Sequence, residues 1–141
     1  MKQFTGLSFL SILLLAFLGV PRVIGHDLGW LNEGTFINAL FVFIPVIIWV
    51  SIAVLKKEMH PFRSMLVLGA FHGVLLAAAH QILWGAAFPM PPELGGNFVN
   101  APGYFKILIP RSAAVLSSIM TGIIMGTVLG LAALVIKKLL K

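Results

Sequence analysis

The groups in this 141-residue chain best suited to chemistry are its four histidines, and two of them, His72 and His80, lie within one apolar run. Imidazole changes charge near neutral pH and is a common metal ligand. Eight residues turn an α-helix about 80° beyond two full turns, so the two rings do not share a narrow face. A single metal held by both is therefore not expected. His72 stands about 12 Å along that run from Ser64 and His80 about 24 Å, which puts one at mid-membrane depth and the other near a boundary. His80, Gln81 and Trp84 are close in sequence, and His26 with Asp27 follows another run on the same side. These six residues are the candidate polar site. Such a set suits a ligand pocket, a haem held by imidazoles from two helices, or a proton-sensing switch. The plainer expectation, strongest for His72, is a neutral imidazole bonded to a backbone carbonyl or a serine, serving only to hold helices together.

Other chemistry finds little support. The chain has no cysteine, which removes disulfides, thiolate metal sites and thiol nucleophiles. No serine sits in a Gly-x-Ser-x-Gly setting, and no paired carboxylates are in reach along the sequence. Gly95-Gly96 lacks the lysine and following helix of a phosphate-cradling loop. No enzyme activity, metal or resident cofactor is expected. The net charge of +6 does not signal nucleic acid, because the lysines and arginines flank apolar runs instead of forming an exposed basic stripe. Anionic lipid head groups suit them better.

The elements that must position these residues are four apolar runs, at about 4–24, 35–55, 64–88 and 112–136. Only 10% of the residues are charged, against about 25% in soluble domains, so lipid must cover much of the surface. A span needs roughly 20 residues, which the last three runs supply. The first runs from Phe4 to Val20, is interrupted at Pro21-Arg22, and reaches that length only through Val23-Ile24. If every run crosses, Lys2, Lys56, Lys57, Arg63, Lys137, Lys138 and Lys141 share one side. The other side holds Arg22, Lys106 and Arg111 against Asp27, Glu33 and Glu93. Positive-rich short loops stay cytoplasmic. The expectation is a single all-α membrane domain at the cell membrane: four transmembrane helices in an up-down bundle, with both termini cytoplasmic. Residues 1–25 also resemble a cleavable secretory signal, which would leave three spans.

One longer outer loop, 89–111, joins the third and fourth spans. It opens Pro89-Met90-Pro91-Pro92, turns at Gly95-Gly96-Asn97, and ends in Tyr104–Ile109, which is expected to lie on the interface as a separate piece before Pro110 starts the last helix. His26, Asp27 and Trp30 fall in a first outer loop, 25–34. Trp30 and Trp84 are expected at the head-group layer. Arg111 is expected to pair with a lipid phosphate, Glu93 or Asp27. Asn38, Ser117, Ser118 and Thr121 are expected to bond between helices.

Small residues recur every fourth position in two runs: Gly69, Gly73 and Ala77 in the third, Ala114, Ser118, Gly122, Gly126 and Gly130 in the fourth. Such stripes let backbones approach closely in lipid. They could pack spans of one chain or join it to a second copy or a larger membrane protein. Pro45 should kink the second run. No acid or base lies inside the four runs. In size and span number the chain is similar to the small multidrug exporters, but those depend on a glutamate in the first span, and this first run has none.

The reading that asks least is a structural or interaction subunit. The alternatives are a transporter or channel for a neutral or apolar solute, using a cavity near Pro45, His72 and Gln81, and a haem or redox subunit using His80 with His26. An accessible cavity reaching His72 from one side would favour transport; a tightly filled bundle would disfavour it.

Overall fold

The computed structural model describes residues 1–90 and 92–140; Pro91 and Lys141 lie outside the described residues. Among the described residues there are helices and no strands. Four stretches are long and apolar enough to cross a membrane: Phe9–Asp27, Phe36–Leu55, Pro61–Ile82 and Gly103–Leu139.

The first stretch is not one smooth helix. A single turn, α1 (Lys2–Thr5), ends at Gly6 in a left-handed conformation, φ 81°. There Thr5 offers its carbonyl to the Ser64 hydroxyl. α2 (Phe9–Phe17) starts at Ser8, whose hydroxyl accepts from the Ser11 amide, an N-cap worth about 1 kcal/mol. α3 (Val20–Asp27) follows after Leu18-Gly19. The interruption expected at Pro21-Arg22 therefore falls earlier. Proline is tolerated in a first helical turn because its missing amide would be unpaired there anyway, and Pro21 occupies that turn. So His26 and Asp27 belong to the last turn of α3 and not to a loop. Arg22 and Asp27 thus lie within the first membrane-length stretch, which corrects the expectation of four runs free of acids and bases.

α4 (Phe36–Leu55) carries Pro45 inside it and buries Pro45, Trp49 and Ala53. α5 (Pro61–Ile82) is the hub, with Ser64, Met65, Leu68, Gly69, His72, Gly73, Leu76 and Ala77 all buried. It stops at Leu83, and a separate turn, α6 (Trp84–Ala87), continues to Phe88. The third run is therefore broken near its end, not continuous from 64 to 88.

α7 (Gly103–Leu139) has 37 residues, which at 1.5 Å each is about 55 Å, well beyond a ~30 Å hydrocarbon layer. Tyr104–Ile109 is its N-terminal part and not a separate interfacial piece, and Pro110 lies inside the helix instead of opening it. Pro102 supplies the start. Between α6 and α7 the one regular piece among the described residues is a 3₁₀ turn, Gly96–Phe98, with Gly96 at φ 61°.

The closest packing is α5 on α7. A Cβ placed on Gly69 would stand 2.7 Å from the Gly126 Cα, and one on Gly122 would stand 2.6 Å from the Gly73 Cα. A Cβ on Gly130 would meet the Phe62 backbone at 3.1 Å. The two stripes face each other within one chain. Ala77 and Ser118 are also buried, whereas Ala114 is half-buried. The main apolar core joins Leu7, Ile12, Trp49, Ala53, Met59, Met65, Leu68 and Ala133, drawn from all four stretches and their flanks. It fills the end of the molecule where Lys137 donates to the carbonyls of Lys56 (2.7 Å) and Met59 (3.0 Å).

Candidate functional site

The opposite end is polar. Asp27, almost completely buried, receives two imidazoles. His80 on α5 meets Oδ2 at 2.6 Å through Nδ1, and His26 on α3 meets Oδ1 at 3.3 Å. His26 turns its other nitrogen, Nε2, to Glu33 at 3.4 Å. One turn before His26, Arg22 donates from Nε to the Asn38 side-chain carbonyl of α4 at 3.1 Å. Among the described residues this is the guanidinium's only hydrogen bond.

These groups wall a cavity of about 220 Å³. Arg22, His26, Glu33 and His80 meet Ser117, Ser118 and Thr121 of α7 across it. The three hydroxyls, expected to bond between helices, make no side-chain hydrogen bond within the described chain; they line the space instead. Asn38 does bond across to another helix, to Arg22.

A second cavity, about 110 Å³, shares Arg22, Val23, Leu76 and Thr121 with the first. Its remaining wall includes Gly19, Pro45, Trp49 and His72. Both backbone irregularities of the first two spans, Leu18-Gly19 and Pro45, thus lie beside His72. The break at Leu18-Gly19 has side-chain partners. A helix end leaves carbonyls without intrahelical donors, and hydrocarbon supplies none. Trp49 Nε1 donates to the Leu15 carbonyl at 2.9 Å, and His72 Nδ1 donates to the Ala16 carbonyl at 2.9 Å. The His72 ring stands edge-on to Trp49, centroids 5.2 Å apart, and packs against Gly19, where any Cβ would strike it.

Of the six expected site residues, the fold brings His26, Asp27 and His80 together and sets His72 deeper, at the second cavity. Gln81 and Trp84 turn elsewhere. Gln81 donates to the Arg111 carbonyl at 3.3 Å, and the Arg111 guanidinium lies 5.1 Å over the Trp84 ring. Gln81 is rotated about 100° from His80 on the helix, and the break at Leu83 removes Trp84 from its register. Trp84 is buried against the protein, while Trp30 is exposed. Arg111 pairs with neither Asp27 nor Glu93, and its Nε is buried without a partner. Arg22 and Glu33 are site residues that the sequence pattern did not mark. Carrying the first helix through Pro21 would have found Arg22; Glu33 sits in a loop whose path no periodicity reports.

His26 and His80 meet through the Asp27 carboxylate. Among the described residues no group of three or more His, Asp and Glu is arranged to hold a metal ion. No protein-family model, curated protein or solved structure matches the chain.

Proposed function

We propose that this chain is an integral membrane protein that carries a small polar solute through its bundle, with four up-down spans and both termini in the cytoplasm. One observation carries the transport reading: two cavities that share Arg22, Val23, Leu76 and Thr121 lie between Glu33 and His26 at one end and His72 and Pro45 in the interior, where Trp49, Ile12, Met65 and Leu68 form a packed core, and a further cavity of about 480 Å³, lined by Met59, His60, Leu134 and Lys137, lies at the other end. Polar space on one side of a packed core and a cavity on the other is the form an alternating-access carrier takes between its states. Broken helices at mid-depth are where transporters hold their cargo, and here Leu18-Gly19 and Pro45 flank one space. Arg22, with a single hydrogen bond, suits an acidic or carbonyl group on the solute. The solute is thus polar, where a chain with no charged residue in its spans would have called for a neutral or apolar one. The orientation rests on six described basic residues at one end, Lys2, Lys56, Lys57, Arg63, Lys137 and Lys138, against Arg22, Lys106 and Arg111.

The glycine stripes face each other inside the chain, so they offer less to a second copy or a larger partner. What favours an interaction subunit is α4, which buries only three of its twenty residues and leaves nine exposed to lipid or to another protein. A stoichiometric partner on native mass spectrometry in mild detergent would support that reading.

The absence of cysteine makes the transport reading directly testable. Thr121→Cys should react with a membrane-impermeant thiol reagent applied from outside. Ile124→Cys, on the exposed apolar face of the same helix, should not. Equal protection of both positions would sink the proposal.

A further inference from the structure

Resting on the carrier reading, we propose that solute movement is coupled to protons, and that Glu33, His26, Asp27 and His80 form the relay that takes them up. A buried carboxylate needs one cationic partner to be stable. Asp27 has two imidazoles, one on each oxygen, and one of them, His26, continues to a carboxylate in solution. Links of 3.4, 3.3 and 2.6 Å join Glu33, which is 76% exposed, to His26, then to the 2%-exposed Asp27 side chain, then to His80. The order runs from solvent to interior: Glu33 is in ion-pair contact with His26, which is itself part-exposed, and hydrogen bonds join His26 to Asp27 and Asp27 to His80.

The transfer balances. A proton on Glu33 passes to His26 Nε2 as His26 Nδ1 gives its own to Asp27 Oδ1. Asp27 starts as the neutral acid with its proton on Oδ2 and passes that proton to His80 Nδ1 as Oδ1 receives the one from His26; His80 releases one from Nε2 into the cavity, and Asp27 is left protonated on Oδ1 until its carboxyl rotates. One proton enters and one leaves, with only N–H and O–H bonds exchanged, and ring rotation or tautomer exchange resets the chain. The charged surroundings are few. On α3 itself stand Arg22 and His26; the following loop brings Glu33, α5 brings His80, and α4 brings only neutral Asn38. α7 faces the cavity with Ser117, Ser118 and Thr121 and no ionisable group, its Arg111 being turned to Trp84.

The relay ends where the packing closes. Beyond His72, Trp49, Ile12, Met65 and Leu68 are fully buried against one another. A proton delivered to the cavity therefore cannot cross unless the helices rearrange at Gly19 and Pro45. That requirement ties its passage to the movement of the solute.

The test needs no knowledge of the solute. The full chain, labelled with ¹⁵N-histidine and held in lipid nanodiscs, is titrated by NMR between about pH 5 and 8. Coupled sites lose protons in steps that belong to the pair, so the relay requires the His26 and His80 signals to move together in two shared steps. Asp27→Asn should separate them into independent single steps. His26→Gln, on an accessible position that tolerates change, should collapse the His80 curve to one step even if the Asp27 variant fails to fold. A His80 signal that stays constant while His26 titrates alone, in the native chain, overturns the relay and leaves a static ion pair. Because Thr121→Cys labelling reports the cavity and the titration reports the protons, either can fail without the other.

Discussion

Individual side chains in this protein mostly repair the backbone. Trp49 and His72 look like candidates for chemistry, yet each spends its N–H on a carbonyl in the last turn of α2: Trp49 on that of Leu15, which also takes the Leu18 amide, and His72 on that of Ala16. A hydrogen bond of this kind is worth about 0.5–1.5 kcal/mol net, and an orphaned buried acceptor costs about 1–3 kcal/mol. Trp49→Phe keeps most of the ring and deletes the donor. It should lower stability by about 0.5–1.5 kcal/mol in a reversible unfolding assay in detergent, because the Leu15 carbonyl keeps the Leu18 amide. Trp30→Phe, exposed and without such a bond, should stay within about 0.5 kcal/mol. His72→Leu should lose both the bond to Ala16 and the edge-on contact with Trp49. A loss beyond about 3 kcal/mol there would mean that His72 does more than satisfy one carbonyl. The presence of a histidine at mid-depth was legible in the sequence; its partner, 56 residues earlier, was not, because nothing local specifies which carbonyl will be left free.

At the scale of elements, the α5–α7 pair is the strongest statement the chain makes. Gly69 and Gly73 lie on Gly122 and Gly126 with no space for a side chain. Helices in lipid gain little from the hydrophobic effect, so contact area at short range does the holding. Gly69→Leu must push two backbones apart and should cost at least about 2 kcal/mol, seen as a lower thermal midpoint in a detergent stability assay. Gly95→Ala, where an added methyl would meet nothing within 4 Å, should leave the midpoint unchanged. Four-residue spacing made both stripes readable. The break at Leu18-Gly19 and the unbroken passage through Pro110 were not, since a proline is compatible with either a helix start or a kink, and tertiary partners decide which.

For the whole molecule, charge and closure together define a direction. Basic residues gather at the packed end, the carboxylate–histidine cluster lies at the open end, and α7 is several turns longer than a hydrocarbon layer requires. With the cytoplasm at the packed end, Glu93→Cys should be labelled on intact cells by an impermeant reagent. Lys138→Cys should be labelled only after the membrane is permeabilised. The reverse pattern would invert the proposed access of the cavity. Opening of the packed end should follow from mobility at Gly19 and Pro45. Pro45→Ala straightens α4 and should slow the exchange between open and closed forms, seen as a lower labelling rate at cytoplasmic-side positions when solute is present.

Hydropathy in the sequence alone determined that the chain is helical with four helices long and apolar enough to cross a membrane, because the cost of unpaired backbone in lipid permits an apolar run of that length little else. The sequence also marked the small-residue stripes, since helical period is a local property. Only the tertiary structure decided where the helices break, that Arg22 and Asp27 stand within the first span, and which polar groups share a cavity. Those outcomes depend on side chains tens of residues apart meeting at one depth. No local pattern encodes that meeting; it follows from how the packed helices rotate against one another.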